Sequence, residues 1–266
     1  MCDRIGTKGM KKMKKSVSLL LLLALALSLC ACGEVSPAPA ESSAPSESAD
    51  APETAAPAES EAPPVPEDIV VTAFEKSGDY TDSLGNEYHY SYRIPAINTE
   101  TEEARRINEA IHAQLMSVVD EELKSMDDGV SLVSVNVDYR YYVNDGIVSI
   151  LCTADSPNDF FNYRVYNYDA GEDREFTRSD FLAREGLTEE ELTSLAMAAC
   201  EQKFTEAFGG FPHDSFYEEQ YARTLDPTTY GDGLMLYYGE GGALSMVAPI
   251  YSLAGASFYY QEMAVR

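Results

Sequence analysis

The chain has no tryptophan, only three histidines and five cysteines in 266 residues, and few cations: 19 Lys and Arg against 45 Asp and Glu, a formal net charge of −26. Each shortage excludes something. So acidic a surface does not bind a row of phosphates, so nucleic acid is not an expected partner. His89, His112 and His213 stand apart, with no His-x-His or His-Glu-x-x-His spacing. Surface or partly packed roles are expected of them rather than metal ligation. Beyond residue 32 there is no Ser-x-x-Lys, and nowhere a Gly-x-Ser-x-Gly or a phosphate loop. A Ser or Cys nucleophile therefore lacks a recognisable partner. The loop oxygens of Asp155/Asn158/Asp159 and Asp169/Glu172/Asp173 lack EF-hand spacing and read as turn chemistry rather than a calcium site. No cofactor is expected.

A long apolar run is also missing. The run Ser16–Leu29 has 14 residues, short of the ~20 that a comfortable bilayer span needs. Lys11, Lys12, Lys14 and Lys15 precede it, and a cationic stretch before a short apolar run is the pattern of an export signal. The run ends Leu29-Cys30-Ala31-Cys32-Gly33, which resembles the bacterial lipoprotein lipobox. The resemblance implies cleavage after Ala31 and diacylglycerol attachment to Cys32, an anchor that needs no helix. Met10 or Met13 reads better than Met1 as the start of such a signal.

Composition then changes abruptly. Residues 33–68 hold eight Pro, nine Ala, six Ser and nine acidic residues, with no base and no aromatic. Such a segment cannot bury enough apolar surface to offset its ordering entropy. A disordered stalk of at most about 110 Å is expected, at ~3.1 Å per residue. The division is therefore signal 1–31, lipidated Cys32 with stalk 32–68, and one domain at 69–266, which keeps 35 acidic and 13 basic residues, a net of −22.

Within 69–266, Ile69–Lys76 reads as a strand, residues 79–86 as a turn, and Tyr88, Tyr90 and Tyr92 as alternate positions of a strand that Ile94-Pro95 ends. Thr99 with Glu102 has the form of a capping box. Behind it Ile107, Ile111, Leu115, Val118, Val119, Leu123 and Met126 share one helical face. Val133 to Tyr141 and Ile147 to Ala154 alternate around Asn144-Asp145-Gly146, the signature of a hairpin. Residues 162–169 read as a third strand and Thr177–Leu182 as a short helix. Thr188 with Glu191 caps a helix whose packed face carries Leu192, Leu195, Ala196, Ala199, Cys200 and Phe204. Residues 209–232 show no clear period, and Leu234–Tyr238, Leu244–Val247 and Ser257–Val265 read as strands. The fold class expected is α+β, an antiparallel β-sheet packed against one long and one medium amphipathic helix. Cys152 and Cys200 fall at apolar positions, where buried thiols are favoured over a disulfide.

The order of short motifs resembles a known family. Tyr92-Arg93-Ile94-Pro95-Ala96-Ile97 and Arg106-Ile107-Asn108-Glu109-Ala110-Ile111 are followed by Tyr166-Asn167-Tyr168-Asp169-Ala170-Gly171, Arg178-Ser179-Asp180-Phe181-Leu182, Gly233-Leu234-Met235-Leu236-Tyr237-Tyr238, Ala248-Pro249, Gly255 and Phe258-Tyr259-Tyr260. They are similar to an extracytoplasmic domain family. It includes the ectodomain of lysozyme-sensing anti-sigma factors and the N-terminal domain of some peptidoglycan deacetylases. The chain departs from it at 155–161, where many members carry a Gly/His-rich segment. The resemblance implies a recognition module alone, carried on a lipid anchor.

The expectation is a non-catalytic binding or sensing lipoprotein at the outer face of the bacterial cytoplasmic membrane. Its partner would be a cationic extracellular protein or peptide, or peptidoglycan. Adjacent rings at Tyr237, Tyr238, Tyr259 and Tyr260 point to opposite sheet faces, so some are expected at a ligand surface. The alternatives are a cell-wall hydrolase with an unrecognised carboxylate site, since 35 carboxylates always offer some pair, and a structural accessory lipoprotein.

Overall fold

A computed structural model describes residues 65–155, 163–230, 234–254 and 257–266. They belong to one compact unit, Ala58–Arg266. The fold is α+β, with two sheets rather than one. Six strands make the first sheet in the order β1 (Val70–Thr81), β2 (Glu87–Ile97), β3 (Asn136–Asn144), β4 (Ile147–Asp155), β5 (Tyr163–Asp169) and β6 (Arg174–Glu175). Three more make the second: β7 (Met235–Tyr238), β8 (Leu244–Tyr251) and β9 (Phe258–Ala264).

All neighbours pair antiparallel except β2 and β3, which run parallel at Ser91↔Asn136 and Tyr92↔Val137. Parallel neighbours need a crossover, and the 26-residue helix α1 (Glu102–Asp127) supplies it. Periodicity alone did not reveal this step. The helix begins at N-cap Thr101 rather than at Thr99, and no cap hydrogen bond forms on its side chain. The Thr101 hydroxyl instead meets Tyr168 Oη at 3.2 Å. Pro95 does not end β2, because it lies opposite Thr72 at a register shift of β1, where a missing N–H is tolerated.

The β3–β4 hairpin closes on Asp145 and Gly146, with φ of 45° and 84°. Two consecutive positive φ values match the twist of the flanking strands. β4 is buried on both faces. Val148, Ile150, Cys152 and Ala154 pack with α1, whereas Leu151 meets the second sheet and Ile147 the other helices. Cys152 and Cys200 are both buried thiols in different clusters, and burial pushes the Cys152 thiol well up.

Three helices cover the far side of the second sheet: α2 (Arg178–Glu185), α3 (Glu189–Phe208) and α4 (Ser215–Thr224). Capping boxes Thr177/Asp180 and Thr188/Glu191 start the first two. Asp214 starts α4 by accepting from the backbone N–H of Phe216 and Tyr217, both at 3.0 Å. α4 breaks the usual pattern: it buries Gln220 and Thr224 and leaves Phe216 half exposed, so the sequence showed no apolar stripe there. The layers run α1, first sheet, second sheet, then α2 to α4.

Candidate functional site

The four tyrosines singled out from sequence do not share one exposed surface. Tyr237 and Tyr238 are buried, at 5% and 3% exposure, which corrects the expectation for both. The reason is that the second sheet is covered on each face. Tyr238 points into the helices, its ring 4.9 Å from Phe181, and its hydroxyl donates to Glu185 at 2.9 Å. Tyr237 points the other way, against Leu151 and Val247. Tyr260 is half buried on the same face as Tyr237, and Tyr259 is exposed on the helix side.

At the seam between the sheets Arg140 of β3 pairs with Glu262 of β9. Tyr237 donates to Glu262 at 3.0 Å, and Tyr142 stacks on Tyr237 with ring centroids 6.2 Å apart. Burial works against ionisation of Glu262, but Arg140 and the Tyr163 and Tyr237 hydroxyls outweigh it and hold its pKa below the usual value. Burial, then Glu262, push the Tyr163 phenol up to about 12. These phenols are donors to a fixed carboxylate and not bases at neutral pH. The cluster ties one sheet to the other. Arg140→Ala is expected to cost about 1–3 kcal/mol in thermal unfolding, less than the ~3–5 of a fully buried pair. Arg140 remains 43% exposed, so water takes over part of its role for Glu262. No change in melting temperature would refute a holding role for this pair.

Among the described residues, three of the open depressions lie against helices. One, about 760 Å³, lies at the start of α1 and is lined by Glu102, Glu103, Arg105, Arg106, Glu109 and Asp173. Arg106 there is already paired, reaching Glu103 and Glu175, each at 2.6 Å. The Arg106 hydrogen bond lowers the Glu103 pKa. A second, about 370 Å³, lies between α1 and the β1–β2 pair, over Ala73, Pro95 and Ala96. The third, about 290 Å³, lies between the last turns of α3 and strand β9. It is lined by Lys203, Glu206, Ala207, Phe208, Ile250, Tyr259 and Gln261. Of the four tyrosines, Tyr259 alone lines one of these three depressions, and its ring is held by a hydroxyl bond to the Ala254 carbonyl at 3.0 Å.

Among the described residues every carboxylate with a displaced pKa is displaced downward: Asp82, Glu103, Asp180, Glu191, Glu206, Asp226 and Glu262. Glycoside hydrolysis by acid catalysis needs a carboxyl held protonated near neutrality, and none of these seven is such a group. The Asp169 side chain accepts from the N–H of Gly171 and Glu172, both at 3.0 Å, as a turn residue does. His89 Nδ1 lies 2.9 Å from Asp79 at the surface, and His213 stacks on Tyr217 at 4.1 Å. No group of three or more His, Cys, Asp or Glu that could hold a metal occurs among the described residues. Cys32, the expected lipid site, and the loop residues Asn158 and Asp159 lie outside the described residues.

Sequence reasoning missed two buried carboxylates. Asp82 is 5% exposed and Glu122 4%. Asp82 accepts from the N–H of Leu84 and Asn86, the Asn86 amide, and the hydroxyl of Ser131 at 2.7 Å. It joins the β1–β2 turn to the loop after α1. Its position in a turn was visible in the sequence, but its partner 49 residues away was not.

No protein-family model matches the chain, and no curated protein matches it. Among the described residues no helix is long and apolar enough to cross a membrane.

Proposed function

We propose that the chain is a lipid-anchored, non-catalytic binding or sensing module of the bacterial cell envelope, with a cationic protein or peptide as its partner. One observation carries the choice of partner: the segment 69–266 has 35 acidic and 13 basic residues. Such a surface attracts cations and speeds their encounter in a salt-dependent way. The envelope location rests on the lysine run, the apolar run and Cys32. The seven carboxylates with displaced pKa values are all lowered, so none of those seven supplies the protonated acid that the wall-hydrolase alternative calls for.

The test is retention of a panel of basic envelope-active proteins, lysozyme among them, on the immobilised intact chain. Retention at low salt that falls steeply at high salt is expected. Absence of retention at low salt would refute the cationic partner. Labelling with a radioactive fatty acid, lost in Cys32→Ala, tests the anchor. Label that persists in that variant would refute Cys32 as its site.

A further inference from the structure

Strand β9 is the last strand of its sheet, and its backbone parity can be read from its ends. Ser252 N–H donates to Ser257 O at 3.2 Å, and Val265 N–H donates to Leu244 O at 2.8 Å. Hydrogen-bonded and non-bonded pairs alternate along an antiparallel ladder. Tyr259, Gln261 and Met263 therefore turn their backbone groups toward β8, and Phe258, Tyr260, Glu262 and Ala264 turn theirs outward. Pro249 confirms the parity: it has no N–H to give and stands opposite Tyr260, a non-bonded pair. Four residues thus carry N–H and C=O groups that no strand among the described residues takes up, a template for a further strand.

The 290 Å³ groove runs beside this edge, with Phe208 and Ile250 at its floor, Ala207 of α3 above and the pinned Tyr259 ring at its side. Lys203, Glu206 and Gln261 line its polar part. A strand edge beside such a helix-walled groove can hold an extended peptide: backbone bonds hold it, and alternate side chains enter the groove.

We propose that β9 and the groove beneath α3 bind an extended peptide segment, taken up as a fourth strand, that alternates aliphatic and basic residues. Side chains on the helix side of such a strand meet Tyr259, Phe208 and Ile250, which favours aliphatic residues. Those on the other side lie along Tyr260; Glu262 beside it is already paired with Arg140, so it is the net charge of −22 over residues 69–266 that favours basic ones. The same charge opposes a second copy pairing edge to edge. The chain's own segment 33–68 is a poor occupant, with eight prolines, nine acidic residues and no base. The inference rests on the cationic partner proposed above and adds where and in what form it binds.

The intact chain is titrated with a fluorescent eight-residue peptide of alternating Lys and Val, and with the same peptide N-methylated at alternate residues. N-methylation removes strand-pairing donors while keeping charge. Two variants accompany it. Tyr260→Pro removes an outward N–H without touching the β8 ladder, and Ala207→Tyr fills the groove from an exposed position at constant charge. The methylated peptide and each variant are expected to weaken binding by about tenfold or more, with melting temperature unchanged for Ala207→Tyr. If Tyr260→Pro unfolds the chain, the methylated peptide and Ala207→Tyr decide. Equal binding of both peptides, or wild-type affinity in Ala207→Tyr, would overturn the groove and leave the cationic reading intact. Retention of basic proteins without binding of the peptide would do the same. Loss of both would overturn the reading beneath it. A dimer of the intact chain that Tyr260→Pro dissociates would assign the edge to a second copy and overturn the peptide.

Discussion

Glu122→Ala is expected to lower the unfolding free energy by about 2–5 kcal/mol in a urea titration, from the ~1–3 kcal/mol for each buried donor left unsatisfied. Glu122 sits within the core-facing stripe of α1. One carboxylate oxygen accepts the Ser134 N–H at 2.7 Å and the other the Val133 N–H at 3.0 Å. These donors belong to the chain between α1 and β3, ahead of the first residue of the β3 ladder. The same stretch is held from β2, where the Tyr92 hydroxyl donates to Ser134 O and the Ser91 N–H to Val135 O, both at 2.9 Å. Ser134 is buried at 1% exposure, so water does not readily replace the carboxylate. Glu122→Gln keeps one acceptor oxygen and should recover part of the loss. A loss below about 1 kcal/mol for the alanine variant would refute the role of Glu122 as the clip that starts β3.

Acidification is expected to remove a specific advantage of the wild type over Asp82→Asn. The Ser131 and Asn86 side chains hold the Asp82 carboxyl well below its ordinary value of 3.8. A group with a depressed folded pKa contributes stability that is whole above its unfolded value and falls away as pH drops through the folded one. Asp180, set at about 2 chiefly by Arg174, and Glu262, lowered from 4.5, act in the same direction. Exposed carboxylates that protonate over the same range relieve the net −22 and act oppositely. The variant comparison removes that shared term. Melting temperature measured against pH should show wild type well above Asp82→Asn at neutral pH. The gap should stay constant down to about pH 4 and then narrow steadily. A gap that stays constant into strong acid would show that the Asp82 bonds do not depend on its charge.

The elements that were legible share a physical property: their signal is local. Asn144-Asp145-Gly146 forms its turn from its own residues, Thr188 and Glu191 cap one another across three positions, and the α1 stripe is carried by one helix. What was not legible depends on distant partners. The parallel step from β2 to β3 leaves no mark on either strand. Helix α4 hid because it buries Gln220 and Thr224, and the Thr224 hydroxyl accepts the Tyr251 N–H from another element. Of the tyrosine surface, only Tyr259 is exposed, because a strand pattern shows that neighbouring rings point opposite ways and does not show whether each face is covered.

By itself, the sequence determined where charge and apolar residues lie along the chain: a lysine-led apolar run ending at Cys32, a proline-rich acidic stretch, and an acidic α+β domain. Those follow from composition and short-range period, which need no folding to be read. Tertiary structure decided the rest. It divided the strands between two sheets, placed Asp82 and Glu122 in the interior, spent Tyr237 and Tyr238 on packing, and set β9 as the last strand of its sheet beside a groove. Burial and unpaired backbone groups are properties of neighbours brought together from far apart in the chain, so only the folded domain could assign them.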